Sequence, residues 1–369
     1  MRKCFIALFT SFLFSTLALA QSFETPTRSP SQIISNIVHQ YMNRNNVAGV
    51  AIAFYNQGKI TFYNFGVANT TTNTPVTQNT LFELGSVTKV FTATLFALEL
   101  TTGKMSLKNS LGNYLPAAIV SQNPAVNQIT LQMLATHTAG LPTIPPGIKL
   151  AMYANYSKQD LINYLSTWQP QPMYPLGTHY HYSNIGFGFL GYAVEQAAHQ
   201  SYAQLLQQYI LQPLAMTTTT LNLPNGSNSF AQGYDGQGTP VPPWTPVGWI
   251  EAGGLRSSAA DMAQFLRANL GDTQNKVLHQ AMQLAQQPYF PINATAQQGL
   301  GWEINQINGY TAISKGGATN GFKCFIAMIP SQQIGIVMLA NNVNGKVKPA
   351  VKTMLRNITR SLISIPMES

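Results

Sequence analysis

The chain is poor in cysteine, in acids and in long apolar runs. It has two cysteines in 369 residues. Cys4 lies in a segment read below as a cleaved leader, which leaves Cys324 alone. A single cysteine forms no intramolecular disulfide, so stability has to come from a buried core, and a chain of this length can build one. Cys324 sits in an apolar run and reads as a small buried hydrophobe. Eleven Asp and Glu stand against 20 Lys and Arg, a formal charge of +9 with only 8% charged residues. The imbalance is a shortage of acids. The bases are scattered, with no Lys/Arg run and no aromatic interleaving, which argues against nucleic-acid binding. A mildly positive surface suits anionic substrates or an anionic envelope. The apolar run Phe5 to Leu17 is too short to span a membrane, and no later segment is long enough. With Arg2-Lys3 before it and Leu17-Ala18-Leu19-Ala20 after it, residues 1–20 read as a secretory signal peptide cut before Gln21. The expected product is an exported chain, residues 21–369, folded as one domain.

What is present is a set of three short polar motifs. Ser86-Val87-Thr88-Lys89 opens a pattern in which Val87, Val90, Phe91, Leu95 and Leu98 recur at helical spacing. The pattern predicts a helix from 86 to about 100 with one buried stripe, stopped by Thr101-Thr102-Gly103. Ser86 then sits at the helix start, where the dipole favours developing negative charge. Positions i and i+3 share a face, so the Lys89 amine reaches the Ser86 hydroxyl. A serine needs such a neighbour to take its proton, and a lysine can do so only when burial or nearby cations lower its pKa. Taken alone, the motif is a capping serine beside a surface lysine.

Two downstream motifs change that reading. Tyr182-Ser183-Asn184 follows Pro175-Leu176-Gly177 and precedes a helical run, Ile185 to Ala198, so it lies on a loop leading into a helix. A tyrosine near lysine ammonium groups is expected to lose its proton more readily than usual and to act as general base and acid. The Asn184 amide can accept from Lys89 and donate to a substrate carbonyl. Lys315-Gly316-Gly317 then opens a segment expected to be an edge strand, whose glycines let a substrate pair with the backbone and whose N–H can serve an oxyanion. Lys315 would hold a carboxylate. Together the three motifs spell a serine acyl-transfer site. His137 has no Gly-x-Ser-x-Gly elbow to join and reads as structural. His179 and His181 lack a full metal-ligand set and read as loop residues.

Around these motifs the pattern predicts an α+β fold. Ile33, Ile34, Ile37, Val38, Tyr41 and Met42 mark a first helix. Val50 to Tyr55 and Ile60 to Phe65 form a hairpin across Asn56-Gln57-Gly58. Phe325 to Ile329 and Ile334 to Leu339 form a second strand pair, followed by a helix from Lys346 to Ile363 with Val347, Val351, Met354, Leu355, Ile358 and Leu362 on one face. One antiparallel sheet built from both termini is expected, flanked by helices, with a mainly helical region at about 80–225 and the site between them. Stretches 142–147, 170–177 and 236–248 read as surface loops.

With its motifs in this order, the chain resembles the class C serine β-lactamases, among the penicillin-recognising serine enzymes. The resemblance also rests on Leu134-Ala135-Thr136-His137-Thr138-Ala139-Gly140-Leu141-Pro142, Gln232-Gly233-Tyr234-Asp235, Leu300-Gly301-Trp302-Glu303, Gly316 to Phe322, and Gly335 to Asn341. It implies a β-lactamase/transpeptidase-like fold and a periplasmic cephalosporinase. Ser86 would be acylated by a small β-lactam, Lys89 and Tyr182 would move protons, and Lys315 would assist. The N–H groups of Ser86 and Ala318 would form an oxyanion hole, and Asn184, Gly316, Gly317 and Asn320 would contact substrate. No metal, organic cofactor, nucleic acid or membrane insertion is implied, and the chain is expected to be a monomer. The alternatives are a D-alanyl peptidase or esterase with the same nucleophile, or a non-catalytic cell-wall-binding relative. The chain departs from the family in its substrate shell. Gly316 replaces a threonine, Ile144 a glutamine, Gly253 a tyrosine and Asn342 a lysine. A threonine restored at 316 is expected to improve KM for cephalosporins.

Overall fold

A capping box starts the first helix. The Ser29 hydroxyl accepts from the Gln32 N–H, the Gln32 amide oxygen accepts from the Ser29 N–H, and Pro30 fills the first turn, giving α1 over Pro30–Asn45. The structure, a computed structural model, describes residues 28–223 and 229–363. The expected signal peptide lies outside these residues, as does the side chain of Leu362.

The alternating pattern beyond Val47 becomes β1, Gly49–Asn56, and β2, Lys59–Asn69, joined through Gln57 and Gly58, both at positive φ. The short β3 is Thr74–Pro75. Near the other end come β4 (Phe290–Asn293), β5 (Ala296–Gln298), β6 (Glu303–Ile307), β7 (Tyr310–Ala318), β8 (Lys323–Ile329) and β9 (Ile334–Ala340). They form one nine-stranded sheet in the order β3-β2-β1-β9-β8-β7-β6-β5-β4. The two ends meet where Val50 of β1 faces Ala340 of β9 in antiparallel register. Both faces of the central strands are apolar, so both must be covered.

One face carries the helical layer: α2 (Thr88–Thr101), α3 (Asn184–Ala198), α4 (Ala259–Asn269) and α5 (Lys276–Ala285). The core there joins Ala51, Ile326, Val337 and Leu339 of the sheet to Phe91, Phe265 and Trp302. The other face is closed by α1 and by α6, Val347–Ile363, through Ile34, Val38, Val351, Met354 and Leu355. The helical layer thus runs past residue 225, the limit expected from the pattern. The loop-rich segment before Ile250 interrupts the periodicity, and α4 resumes it by packing beneath β1 and β9. The helix at 88–101 also differs from the expected one. It is buried nearly all round, Thr92 and Thr94 included, because it lies at the centre of the layer. Thr92 meets this burial by donating to the Glu251 carbonyl at 2.6 Å, and Thr94 by donating to the Val90 carbonyl at 2.7 Å. The 236–248 segment is a loop apart from the two-residue strand Pro240–Val241 and the start of a short helical turn at Val247.

Candidate active site

Ser86 stands one turn ahead of α2, in a 3-10 turn over Gly85–Val87. The turn is wedged against the sheet. Gly85 has φ +48°, and a Cβ there would lie 2.6 Å from the Ala318 carbonyl oxygen; a Cβ on Gly317 would collide with the Leu84 carbonyl oxygen. Only glycine at both positions lets the Ser86 turn sit on the end of β7. Cys324, on the adjacent strand, is buried and donates its S–H to the same Leu84 carbonyl, as expected of an unreactive thiol.

Lys315, Gly316 and Gly317 lie inside β7. The sequence reading expected an edge strand here; the strand instead lies inside the sheet, because β6 pairs with it. That pairing ends at Ser314, however, so residues 315–318 have β8 on one side and no strand on the other. The open edge exists only over the residues that face Ser86, which keeps most of the strand protected from unwanted pairing.

Tyr182 and Asn184 are brought in by the start of α3, where the Ser183 hydroxyl accepts from the Gly186 N–H. The preceding loop is laced to residues 137–143. The Thr143 carbonyl accepts from the Asn184 N–H at 2.9 Å, the Thr143 hydroxyl donates to the Tyr182 carbonyl at 3.0 Å, and the His137 carbonyl accepts from the His181 N–H at 2.7 Å. His137 is buried with Nδ1 accepting from the Ser183 N–H, and its ring lies 4.4 Å from that of Tyr182. Burial, with the Lys315 and Lys89 charges behind it, holds this imidazole well below its usual range, so it packs as a neutral ring. It touches neither Ser86 nor an acid among the described residues, so it belongs to no triad. His181 stacks on Tyr174, and the described residues contain no metal-ligand cluster.

At the centre, the Tyr182 hydroxyl donates to Ser86 Oγ at 2.7 Å. Lys89 Nζ lies 3.2 Å from the same oxygen and 2.8 Å from both Asn184 Oδ1 and the Ala252 carbonyl. Lys89 is fully buried. Burial first, and the Lys315 charge second, drive its pKa far below that of a free lysine. Once deprotonated, the amine keeps its two N–H bonds to Asn184 and Ala252 and turns its lone pair on Ser86. Next to Ala252 in the chain, the buried Glu251 is paired with Lys158, which also meets Glu195 at 2.6 Å.

Tyr182 departs from expectation. Burial pushes its hydroxyl well above the ordinary phenol value, outweighing the lowering by the Ser86 hydrogen bond. The lysine charges that were expected to ionise it lie over its ring at 5.1 and 5.4 Å. The resting group is therefore a neutral phenol. Lys315 is 7% exposed, and burial, opposed by Glu303, brings it down to about 8. Ser86, Tyr182, Lys315, Gly316, Gly317 and Ala318 border one cavity of about 500 Å³. Asn320 instead lines a neighbouring apolar cleft with Tyr153 and Trp244. Sequence reading missed Trp244, the Ala252 carbonyl and Thr143. None carries a local signal, since each acts through backbone or packing contacts made across the fold.

A serine–lysine–tyrosine cluster, with the lysine fully buried, between an antiparallel sheet and a helical layer defines a serine acyl-transfer enzyme of the β-lactamase/transpeptidase-like fold. The Beta-lactamase family model matches residues 34–359, and the chain belongs to that family. A beta-lactamase of Pseudomonas fluorescens is 31% identical over 344 residues, covering 84% of this chain and 93% of that protein. Among solved structures, a class C beta-lactamase in complex with cefoxitin superposes with a TM-score of 0.79 at 29% identity, covering 90% of this chain and 98% of that one. A beta-lactamase/D-alanine carboxypeptidase from Pseudomonas syringae gives 0.79 at 28%, covering 92% and 99%.

Proposed function

We propose that this chain hydrolyses β-lactam antibiotics through an acyl-enzyme on Ser86. The observation that carries the reading is Ser86 Oγ within hydrogen-bond reach of both a phenol and a pKa-depressed amine. As Oγ attacks the lactam carbonyl carbon, the Lys89 lone pair takes its proton. The carbonyl oxygen, now negative, is met by the N–H groups of Ser86 and Ala318. The C–N bond breaks as the Tyr182 phenol gives its proton to the departing nitrogen, and the Lys89 ammonium makes good the loss. Water then attacks the ester, the same pair takes its proton, and that proton is returned to Ser86 Oγ as the acyl–oxygen bond breaks. Asn184 serves the acylamino arm, Lys315 the carboxylate beside the leaving nitrogen, and Gly317 the close approach of substrate to the strand. Residues 1–20 would direct the chain to the periplasm. Among the described residues no helix is long and apolar enough to cross a membrane. Purified protein should turn over a chromogenic cephalosporin; a stable stoichiometric adduct without turnover would support a D-alanyl peptidase instead. That second reading has one observation in its favour: glycine stands at both 253 and 316, where the class C pattern carries a tyrosine and a threonine.

The charge on Lys315 sets an alkaline limit. Its pKa of about 8 leaves it cationic below that pH and neutral above it. For an anionic cephalosporin, kcat/KM is expected to fall as pH rises through about 8, chiefly through KM. A flat profile to pH 9.5 would remove Lys315 from carboxylate binding.

Replacing Gly316 with threonine is expected to help less than the family comparison implies. A Cβ at 316 would stand 3.3 Å from Cδ2 of Phe325, so the hydroxyl is seated only if that ring moves. Overpacking costs about 1–3 kcal/mol, which offsets one charge-assisted hydrogen bond of about 1.5–3 kcal/mol. We expect KM for a cephalosporin to change by less than about threefold and the melting temperature to drop by a few degrees. Steady-state kinetics and a thermal melt check both.

A further inference from the structure

The cavity that holds Ser86 also contains cations that the reaction does not use. Lys323, Lys346 and Lys348 line it together with Lys315. Lys348 is neutralised by Glu303 at 2.6 Å. The ammonium groups of Lys323 and Lys346 have no hydrogen bond or ion pair among the described residues, although the cavity is shared with that same Glu303.

Their placement follows from strand register. Cross-strand partners share a face. Gly316 faces Phe325, and Ala318 faces Lys323. Phe325 belongs to the core beneath α6, while Ile326, the partner of Lys315, belongs to the core of the helical layer. Lys315 and Lys323 therefore leave the sheet on opposite faces, one on each side of the open rim of β7. Lys346 immediately precedes α6, on the same side as Lys323. Burial, and then the Lys346 charge, lower the pKa of Lys323. Both ammonium groups border the same cavity and, among the described residues, neither is ion-paired with a carboxylate, so both gain from an anion between them.

Building on the β-lactam reading, we infer that Lys323 and Lys346 form a second anion subsite, across the β7 rim from Lys315, which takes a second negatively charged group carried on the leaving side of the substrate. The preferred substrates are dianions. The carboxylate next to the scissile bond goes to Lys315, and a further carboxylate or sulfonate goes to the lysine pair. Residue 316 is a glycine with Phe325 close beside it, so this cation pair provides anion recognition on a face where residue 316 offers no hydroxyl.

The test compares two cephalosporins that share one acyl arm, one bearing a methyl group and the other a carboxylate on the leaving side of the ring. At low ionic strength the wild type should favour the dianion about tenfold in kcat/KM, the size of one or two partly shielded ion pairs. The preference should shrink severalfold in about 0.5 M salt. It should fall to about one in Lys323→Met/Lys346→Met, with an unchanged circular dichroism spectrum confirming the fold. Equal handling of the two compounds by the wild type, or a preference that survives in the double variant, overturns the subsite. If neither compound acylates Ser86, the β-lactam reading is the one that fails. Binding then decides the subsite: adipate should bind the wild type about tenfold more tightly than hexanoate, and the double variant should bind both alike. Equal affinities in the wild type overturn it.

Discussion

Replacing Ser86 with alanine is expected to abolish hydrolysis and covalent labelling by penicillin while the fold survives. Ser86 Oγ receives the Tyr182 hydroxyl and lies beside Lys89, so the substitution deletes the only atom in the cluster placed to form the ester. Of the remaining partners only the Tyr182 hydroxyl loses its one hydrogen bond among the described residues, and Tyr182 borders the open cavity. Lys89 keeps Asn184 and Ala252, and Tyr182 keeps its packing on His137. Stability should shift by no more than about 1 kcal/mol, the scale of one exchanged hydrogen bond. The rate should fall by about four orders of magnitude or more, leaving what an oxyanion hole and binding supply alone. Intact-mass spectrometry is the sharpest check. A drug adduct on the Ser86→Ala protein would place the nucleophile elsewhere.

Tyr182→Phe should slow turnover about a hundredfold or more, the usual scale for losing a general acid/base group. The substitution keeps the ring against His137 and removes only the hydroxyl that donates to Ser86. Because that hydroxyl rests as a neutral phenol, the largest effect should fall on the step that protonates the leaving nitrogen. Acylation by a substrate with a better leaving group should suffer less. Stopped-flow acylation with two cephalosporins of different leaving ability separates the cases. Near-normal turnover of both would return Tyr182 to a purely structural role.

Several elements were legible because their signals are local. The hairpin at 49–69, the final strand pair and the helix at 347–363 follow from alternation, a turn dipeptide and a 3.6-residue period. Ser86, Lys89, Tyr182, Asn184 and Lys315 were expected from three short motifs, and the structure brings them within hydrogen-bond or ring contact of one another. The expectation that Tyr182 ionises easily failed because charge proximity can be guessed from motifs whereas the depth of burial cannot. The edge strand at 315–318 failed in part for a related reason: sheet order fixes which strand neighbours β7, and only the shortness of β6 leaves its end open.

The sequence by itself determined the chemistry of the site. A hydroxyl, an amine and a phenol carry their reactivity in their covalent structure, and the motifs placed each at a recognisable helix start, loop or strand. Tertiary structure alone decided the protonation states and the shape of the surroundings. Lys89 is made basic in the useful sense by complete burial against two carbonyls 95 and 163 residues away in the chain. A side chain added at Gly316 would press on Phe325 of the next strand, whose ring would stand 3.3 Å from the added Cβ, and Lys323 and Lys346 border one cavity only through strand register and the start of α6. Such properties depend on desolvation and on contacts between distant segments, and those exist only once the two ends of the chain have closed into one sheet.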